Sequence, residues 1–320
     1  MTTSVHEPQV PPTAAAPPVD VHWGSDSLGF AIGDLWRQRS LLPRVGIRVM
    51  IKGLAGTMLG PFWIVAAPIV SLVGFGFLFG SIAKPPSHGV PYLIFMLAGA
   101  LGWSAFERVS FWGTRSFDVY RRIIRNVNVP SLMVPIAGSV IAAVEVAMTL
   151  VILLGTLLVY WVIDGHLYLR FSPALLLAPV GLVLSVLVGW SVAFWTGSLN
   201  ARARDVRLVF RWVLLIWLYV TPVLYPLSSL PEAIAALARF NPVVAPVEMV
   251  KEGFLNIGIV ELDRLAVTVG FILFVGGTGA WFCTRKAPGF IRSRMGLDDD
   301  EEDFCAWRRP SIPSPTAARA

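Results

Sequence analysis

Charge is scarce in this sequence of 320 residues. Only 14% of it is Asp, Glu, Lys or Arg, against 55% hydrophobic residues and a mean hydropathy of +0.68. A soluble domain carries about 25% charged residues, because its water-facing surface must be covered with polar groups. A soluble enzyme and a disordered chain are excluded on that ground, and the reading left is a polytopic membrane protein. Cysteine is scarcer still. Cys283 and Cys305 stand far apart with no CxxC or Cys/His neighbour, so neither a disulfide framework nor a metal site is indicated. The histidines His6, His22, His88 and His166 fall in the amino-terminal tail or in loops and read as solvated. No GxxxxGK[ST] stretch is present to cradle a phosphate, and HExxH and GxSxG are missing as well. A continuous basic face is also lacking. The net charge of +6 sits in short stretches beside apolar runs, an arrangement that sets membrane topology and not one that binds nucleic acid.

What is present divides the chain clearly. Residues 1–27 are rich in Pro and Ala, lack the charged start and apolar core of a cleavable signal, and read as a disordered cytosolic tail. From residue 28 to 52, Leu28, Ile32, Leu35 and Trp36 fall at helical spacing, accompanied by Arg37, Arg39, Arg44, Arg48 and Lys52. A basic amphipathic segment of this kind lies in the headgroup plane. A cytosolic helix packed on a partner is the alternative.

A helix needs roughly 20 apolar residues to cross the hydrocarbon. Segments 61–83, 91–113, 132–163, 173–199, 208–224 and 265–284 qualify, so six spans are expected and both termini lie on one side. On that side fall Arg37 to Lys52, then Arg115, Arg121, Arg122 and Arg125, then Arg202, Arg204, Arg207 and Arg211, and finally Arg285, Lys286, Arg292 and Arg294. The opposite connections hold only Lys84, Arg170, Arg239, Lys251 and Arg264. Basic residues stay inside, which makes both termini cytosolic. Between the fifth and sixth spans, residues 228–262 are semi-apolar and broken by Pro231, Pro242 and Pro246. Two half-helices dipping into the outer leaflet fit this pattern if their backbone is buried in protein or lines a cavity. The domain of residues 28–294 is followed by a cytosolic tail, 295–320, with an acidic run at 298–303 that reads as solvated.

Intramembrane acids usually mark ion coupling. Only Glu145 lies near the middle of an expected span, and it serves either a polar function or a structural hydrogen bond to a neighbouring helix. Glu107 and Arg108 adjoin one another and can pair or snorkel. A secondary transporter needs more intramembrane charge and an internally symmetric pattern. Energy from elsewhere directs attention to two inside loops, Ser116 to Arg122 and Asn200 to Arg207. Topology alone accounts for their arginines but does not require Asp118 and Asp205 among them, so short docking helices for a cytosolic partner are expected there.

Several motifs in order along the chain resemble one family. Leu59-Gly60-Pro61-Phe62-Trp63 with Ala67-Pro68 is similar to the opening of the first span in the ABC-2 type permeases of polysaccharide exporters, which serve O-antigen, capsule and teichoic acid. Gly99 with Trp103-Ser104-Ala105-Phe106, and Val127-Asn128-Val129-Pro130, resemble the family's second span and first coupling region. Asn200 with Arg204-Asp205-Val206, Thr221-Pro222-Val223-Leu224-Tyr225-Pro226, and Phe240-Asn241-Pro242 resemble its later motifs. The amino-terminal tail and the acidic run are extra, and Asn126 stands where the family often has Lys.

The resemblance implies an all-α polytopic membrane protein. It would have six transmembrane helices, an amino-terminal interfacial helix and a re-entrant hairpin between spans five and six. It further implies a homodimer in the bacterial cytoplasmic membrane, exporting a lipid-linked glycan with energy from a separate nucleotide-binding ATPase subunit. ATP and Mg would be bound by that subunit, and this chain would hold no cofactor. Asp118, Arg121, Arg122, Arg204, Asp205 and Arg207 would then dock the ATPase. Aromatic residues of the first and fifth spans, Phe75, Phe79, Trp212, Trp217, Tyr219 and Tyr225, are the candidates for the glycan path, because sugar rings pack their C–H faces on aromatic rings. Aromatics that face lipid or pack between helices are the plain alternative. Export of a hydrophobic drug or lipid by the same architecture, or an energy-independent scaffold, are the competing functions.

Overall fold

The computed structural model describes residues 89–121, 130–227, 232–258 and 260–295, together with single positions between 29 and 62. The tail 1–27, most of the basic segment 28–52, the first expected span with Phe75 and Phe79, Arg122, Val127 to Val129 and the acidic run 298–303 lie outside the described residues. The described elements are all helical.

Helix α1, Tyr92–Val119, begins after Pro91 and runs six residues past the expected end at Gly113. Nothing in Thr114 to Val119 breaks a helix. The Thr114 and Ser116 hydroxyls donate back to the carbonyls of Ser110 and Gly113, both at 2.7 Å, so neither competes with the helical ladder. Helix α2, Met133–Asp164, stops at Gly165, whose φ of 73° places it in the left-handed region that ends helices. Helix α3, Leu177–Arg202, continues a 3₁₀ turn, Pro173–Leu176, and ends where Ala203 turns extended. Each exceeds the roughly 20 residues needed to cross the hydrocarbon.

Helix α4, Asp205–Val220, is shorter, with 16 residues. At 1.5 Å per residue it spans about 24 Å, less than a hydrocarbon core of about 30 Å. A turn at 221–225 leads to two short helices, α5 (Glu232–Arg239) and α6 (Val244–Leu255). The last long helix comprises α7 (Leu262–Phe271), a π-helical turn at Ile272–Gly276, and α8 (Gly277–Met295). Four helical stretches are long and apolar enough to cross a membrane: Tyr92–Val119, Met133–Asp164, Pro173–Arg202 and Leu262–Ile291.

Burial shows which helix is central. In the apolar window of α1, 78% of residues are buried, against 11% in α2, so α1 is the axle and α2 a flank. Exposed Val151, Val162 and Ile163 on α2 suit a lipid-facing surface. The α1–α3 contact is made close by small residues. A Cβ on Gly189 would lie 2.9 Å from Val109 Cβ, and one on Gly197 would lie 2.9 Å from the Gly113 carbonyl oxygen. Small residues let membrane helices approach closely, where dispersion and not hydrophobic transfer holds them together. Helix α6 is buried nearly throughout and packs on both α1 and α3.

Candidate functional site

Two polar assemblies stand at different places in this frame. The first is a corner where α1 and α3 end and α4 begins. The Asp118 side chain is 19% exposed, and its Oδ2 accepts from Asn200 Nδ2 at 3.0 Å and from Arg207 Nη1 at 3.3 Å. Asn200 is fully buried. One carboxylate therefore ties three helix ends together. Only Ala203 and Arg204 separate α3 from α4, and Asp205 sits in the first turn of α4, where a negative charge complements the helix dipole. Arg204 and Asp205 are both exposed, and Arg121 is half-buried. The Arg202 guanidinium lies 5.6 Å from the Phe290 ring centroid and links the corner to α8. Among the described residues the expected separate docking helices do not form. Ser116 to Val119 is the last turn of α1, and Asn200 to Arg202 is the last turn of α3, because no residue in either stretch interrupts its helix.

The second assembly is buried where the Thr221–Tyr225 turn meets α6. Asn241 is its hub: its Oδ1 accepts from the Trp217 indole at 3.0 Å and from the Val243 amide at 3.1 Å. Its Nδ2 donates to Thr221 Oγ1 at 2.9 Å, and that hydroxyl donates to the Trp217 carbonyl at 2.9 Å. Lys251 is 1% exposed; its Nζ donates to the Pro222 carbonyl at 2.5 Å and to Glu248 Oε1 at 3.0 Å, and lies 4.4 Å from the Phe95 ring centroid. Tyr92 donates to the Leu224 carbonyl at 2.8 Å, and Thr268 donates to the Pro242 carbonyl at 2.9 Å. The carbonyls freed by the two proline breaks thus find partners from α1, α6 and α7, as buried backbone must.

The remaining candidate residues separate by helical register. Phe210, Leu214 and Trp217 form the inward stripe of α4, which Thr221 continues just past its end, while Trp212 (67% exposed) and Tyr219 (50% exposed) share the opposite face. Trp217, expected with them, stands on the other face: its ring packs on Phe106 with centroids 5.0 Å apart, and its N–H donates to Asn241. Tyr225 is half-buried and donates to the Tyr219 carbonyl at 2.6 Å. Glu145 makes an interhelical contact, with Arg108 Nε 3.4 Å from its Oε2. Glu248 and Lys251 were not singled out from sequence. Their three-residue spacing inside an apolar stretch was the available signal. Among the described residues no group of three His, Cys, Asp or Glu comes together as metal ligands.

The ABC-2 type transporter family model matches residues 45–255, about two-thirds of the chain. The chain belongs to that family. As a member of the ABC-2 type transporters it is a membrane transport protein, and the match ends at the last residue of α6, so the corner and the Asn241 hub both lie inside it. Similar ABC-2 chains are two proteins of Klebsiella pneumoniae, each named O-antigen export system permease protein RfbA. They are 22% identical over 250 residues and 23% identical over 255 residues, covering 78% and 79% of this chain and 92% and 94% of theirs. A protein of Myxococcus xanthus with the same name is 23% identical over 218 residues, covering 67% of this chain and 80% of its own.

Proposed function

We propose that this chain is the membrane-spanning subunit of an exporter that moves a lipid-linked polysaccharide outward across a bacterial cytoplasmic membrane. ATP hydrolysis, with Mg, would take place in a separate subunit. The near full-length match to relatives named for O-antigen export carries this reading. Four described spans, the apolar stretch 61–83 and α4 with its following turn make the six crossings. The distribution of Lys and Arg puts both termini and the Asp118 corner in the cytosol. Helices α5 and α6 form the hairpin that enters from the outer side, with α6 covered by α1 and α3.

Two copies of the chain enclose the passage. The exposed face of α4 with Trp212 and Tyr219 looks onto it, and Phe75 and Phe79 of the first span complete the aromatic lining. Arg204 and Asp205, exposed at the corner, meet the ATPase together with Arg121 and Arg122. Asp118 and Arg207 hold that corner in shape, so that movement imposed on it is passed to α1, α3 and α4 together.

The test is genetic and biochemical. Deleting this gene removes a surface polysaccharide, and the wild-type chain on a plasmid restores it, while lipid-linked glycan accumulates on the inner face of the membrane in the deletion strain. An unchanged surface glycan in that strain contradicts the export reading.

A further inference from the structure

The last long helix departs from regular winding at one place. Between α7 and α8, Ile272–Gly276 forms a π turn. Such turns are rare, occur mostly as single insertions in α-helices and are frequent at functional sites. A wide turn shifts carbonyls off the N–H groups four residues on, and here side chains cover them. The Trp195 indole of α3 donates to the Val275 carbonyl at 3.2 Å. The Thr278 hydroxyl donates to the Phe274 carbonyl at 2.6 Å and reaches the Val275 carbonyl at 3.3 Å. The turn is thus kept paired in a membrane-spanning helix, where an unsatisfied carbonyl is costly.

The turn also divides the helix by its neighbours. Helix α8 lies along α3, with the Trp195 and Phe282 rings stacked at 4.7 Å. A Cβ on Gly279 would lie 2.8 Å from Trp195 Cδ1. Cys283, Ala287 and Ile291 of α8 join a buried cluster with Phe117 and Tyr120 beside the corner. Helix α7 has far less contact with α3 and reaches α5 and α6. There Thr268 donates to the Pro242 carbonyl, and Phe271 packs on the cluster that holds Val243 and Val247. One part of the helix therefore belongs with the corner and the other with the hairpin. The turn itself rests on α3 at Gly276, where a Cβ would lie 2.6 Å from Ser191 Oγ, while Leu273 and Phe274 are 71% and 74% exposed.

A π turn carries one residue more than the α turn it replaces. When it moves one position along the chain, the residue it passes rotates by about 100° and both flanks stay helical. Exposed Leu273 and Phe274 have little packing to resist that rotation. We propose that Ile272–Gly276 is a slip joint, which lets α8 follow the cytosolic corner while α7 stays with the hairpin. This rests on the export reading above, in which a separate ATPase moves the corner. The joint absorbs that movement, so the Asn241 hub keeps its hydrogen bonds through the cycle.

Removing Leu273 tests the joint. The shortened chain loses the extra residue at an exposed position, so a continuous α-helix keeps α7 and α8 in their present packing. In the strain lacking this gene it should reach wild-type membrane level and keep its thermal midpoint in detergent. It should restore at least about fivefold less surface glycan than the wild-type chain, because a conformational step is blocked. A matched pair, Gly277→Ala at the joint and Gly155→Ala in α2, decides the matter even if the shortened chain does not insert. Both glycines are exposed, and among the described residues a Cβ at either meets nothing within 4 Å. Each should raise the thermal midpoint by about 2 °C, since Ala favours a helix over Gly. Gly277→Ala also resists passage of the wide turn and should restore clearly less glycan than Gly155→Ala. A more stable chain that exports less marks a moving part, which a purely structural turn would not produce. Normal surface glycan from the shortened chain at wild-type level, or equal export by the two glycine variants, overturns the joint and leaves the export reading intact. Failure of the wild-type chain itself to restore any glycan overturns the export reading and the joint with it.

Discussion

The corner around Asp118 and the knot around Asn241 are both polar assemblies built on helix ends, yet they are finished differently. In the knot every group serves a neighbour: Asn241 bonds to Trp217, Thr221 and Val243, and Lys251 bonds to Glu248 and the Pro222 carbonyl. Lys251 and Glu248 are 1% and 3% exposed. The corner shares one carboxylate among its partners and leaves Arg204 and Asp205 facing out. A closed network in a low-dielectric interior fixes one arrangement, because opening it strands several buried groups at once. A half-exposed charged corner exchanges partners cheaply, since exposed ion pairs contribute little. The difference suits the knot to holding the turn and α6 against α1, and the exposed charges of the corner to the partner contact proposed above.

Substitutions can break or sharpen that contrast. Lys251→Met should have the largest effect. Removing one member of a buried pair costs about 3–5 kcal/mol, here with the Pro222 carbonyl also stranded. The detergent-purified chain should lose its sharp thermal transition or fall to low membrane level. Asn241→Ala comes next. It leaves the Trp217 indole and the Val243 amide without their acceptor, at about 1–3 kcal/mol for each buried group left unpaired. The midpoint of thermal unfolding should drop clearly while the chain still inserts.

Asp118→Asn keeps the shape and removes the charge facing Arg207. Its stability cost should stay below about 1 kcal/mol, as for other partly exposed pairs, but ATP turnover by the assembled transporter should fall. Replacing Trp212 and Tyr219 jointly by Ala should be smallest in stability, within about 0.5 kcal/mol for exposed positions. Surface glycan should nevertheless decline at constant membrane level. A large stability loss in Asp118→Asn, or none in Lys251→Met, would reverse the roles given to the two regions.

Much of this was legible in the chain, because long apolar runs leave little choice of element. The stretches 91–113, 132–163 and 173–199 all proved helical, and the structure moved only their ends. Helix α1 continues to Val119 because Thr114 and Ser116 return their hydroxyls to the helix, which composition does not reveal. The prolines at 231, 242 and 246 announced a broken segment, and two short helices, α5 and α6, occupy it. What was hidden depends on register and on distant partners. Trp217 was grouped with Trp212 and Tyr219 by residue type, but helical spacing puts it on the face with Phe210 and Leu214. Lys251 looked like one more loop cation. Its role rests on Pro222 and Phe95, 29 and 156 residues away in sequence. Asp118 and Arg207 were both read as docking residues, and their pairing appeared only when α1 and α4 came together.

The central claim is that the corner couples this chain to an ATPase, and Asp205→Arg tests it most directly. Asp205 is exposed, lies at the first turn of α4 and holds no partner in the knot, so the variant should insert and unfold like the wild type. Co-expressed with a candidate ATPase subunit, purified from membranes and returned to lipid, the wild-type chain should retain that subunit and support ATP hydrolysis. The variant should retain several-fold less of the subunit and lose turnover in proportion. An intact complex with undiminished ATP hydrolysis in Asp205→Arg would contradict the account.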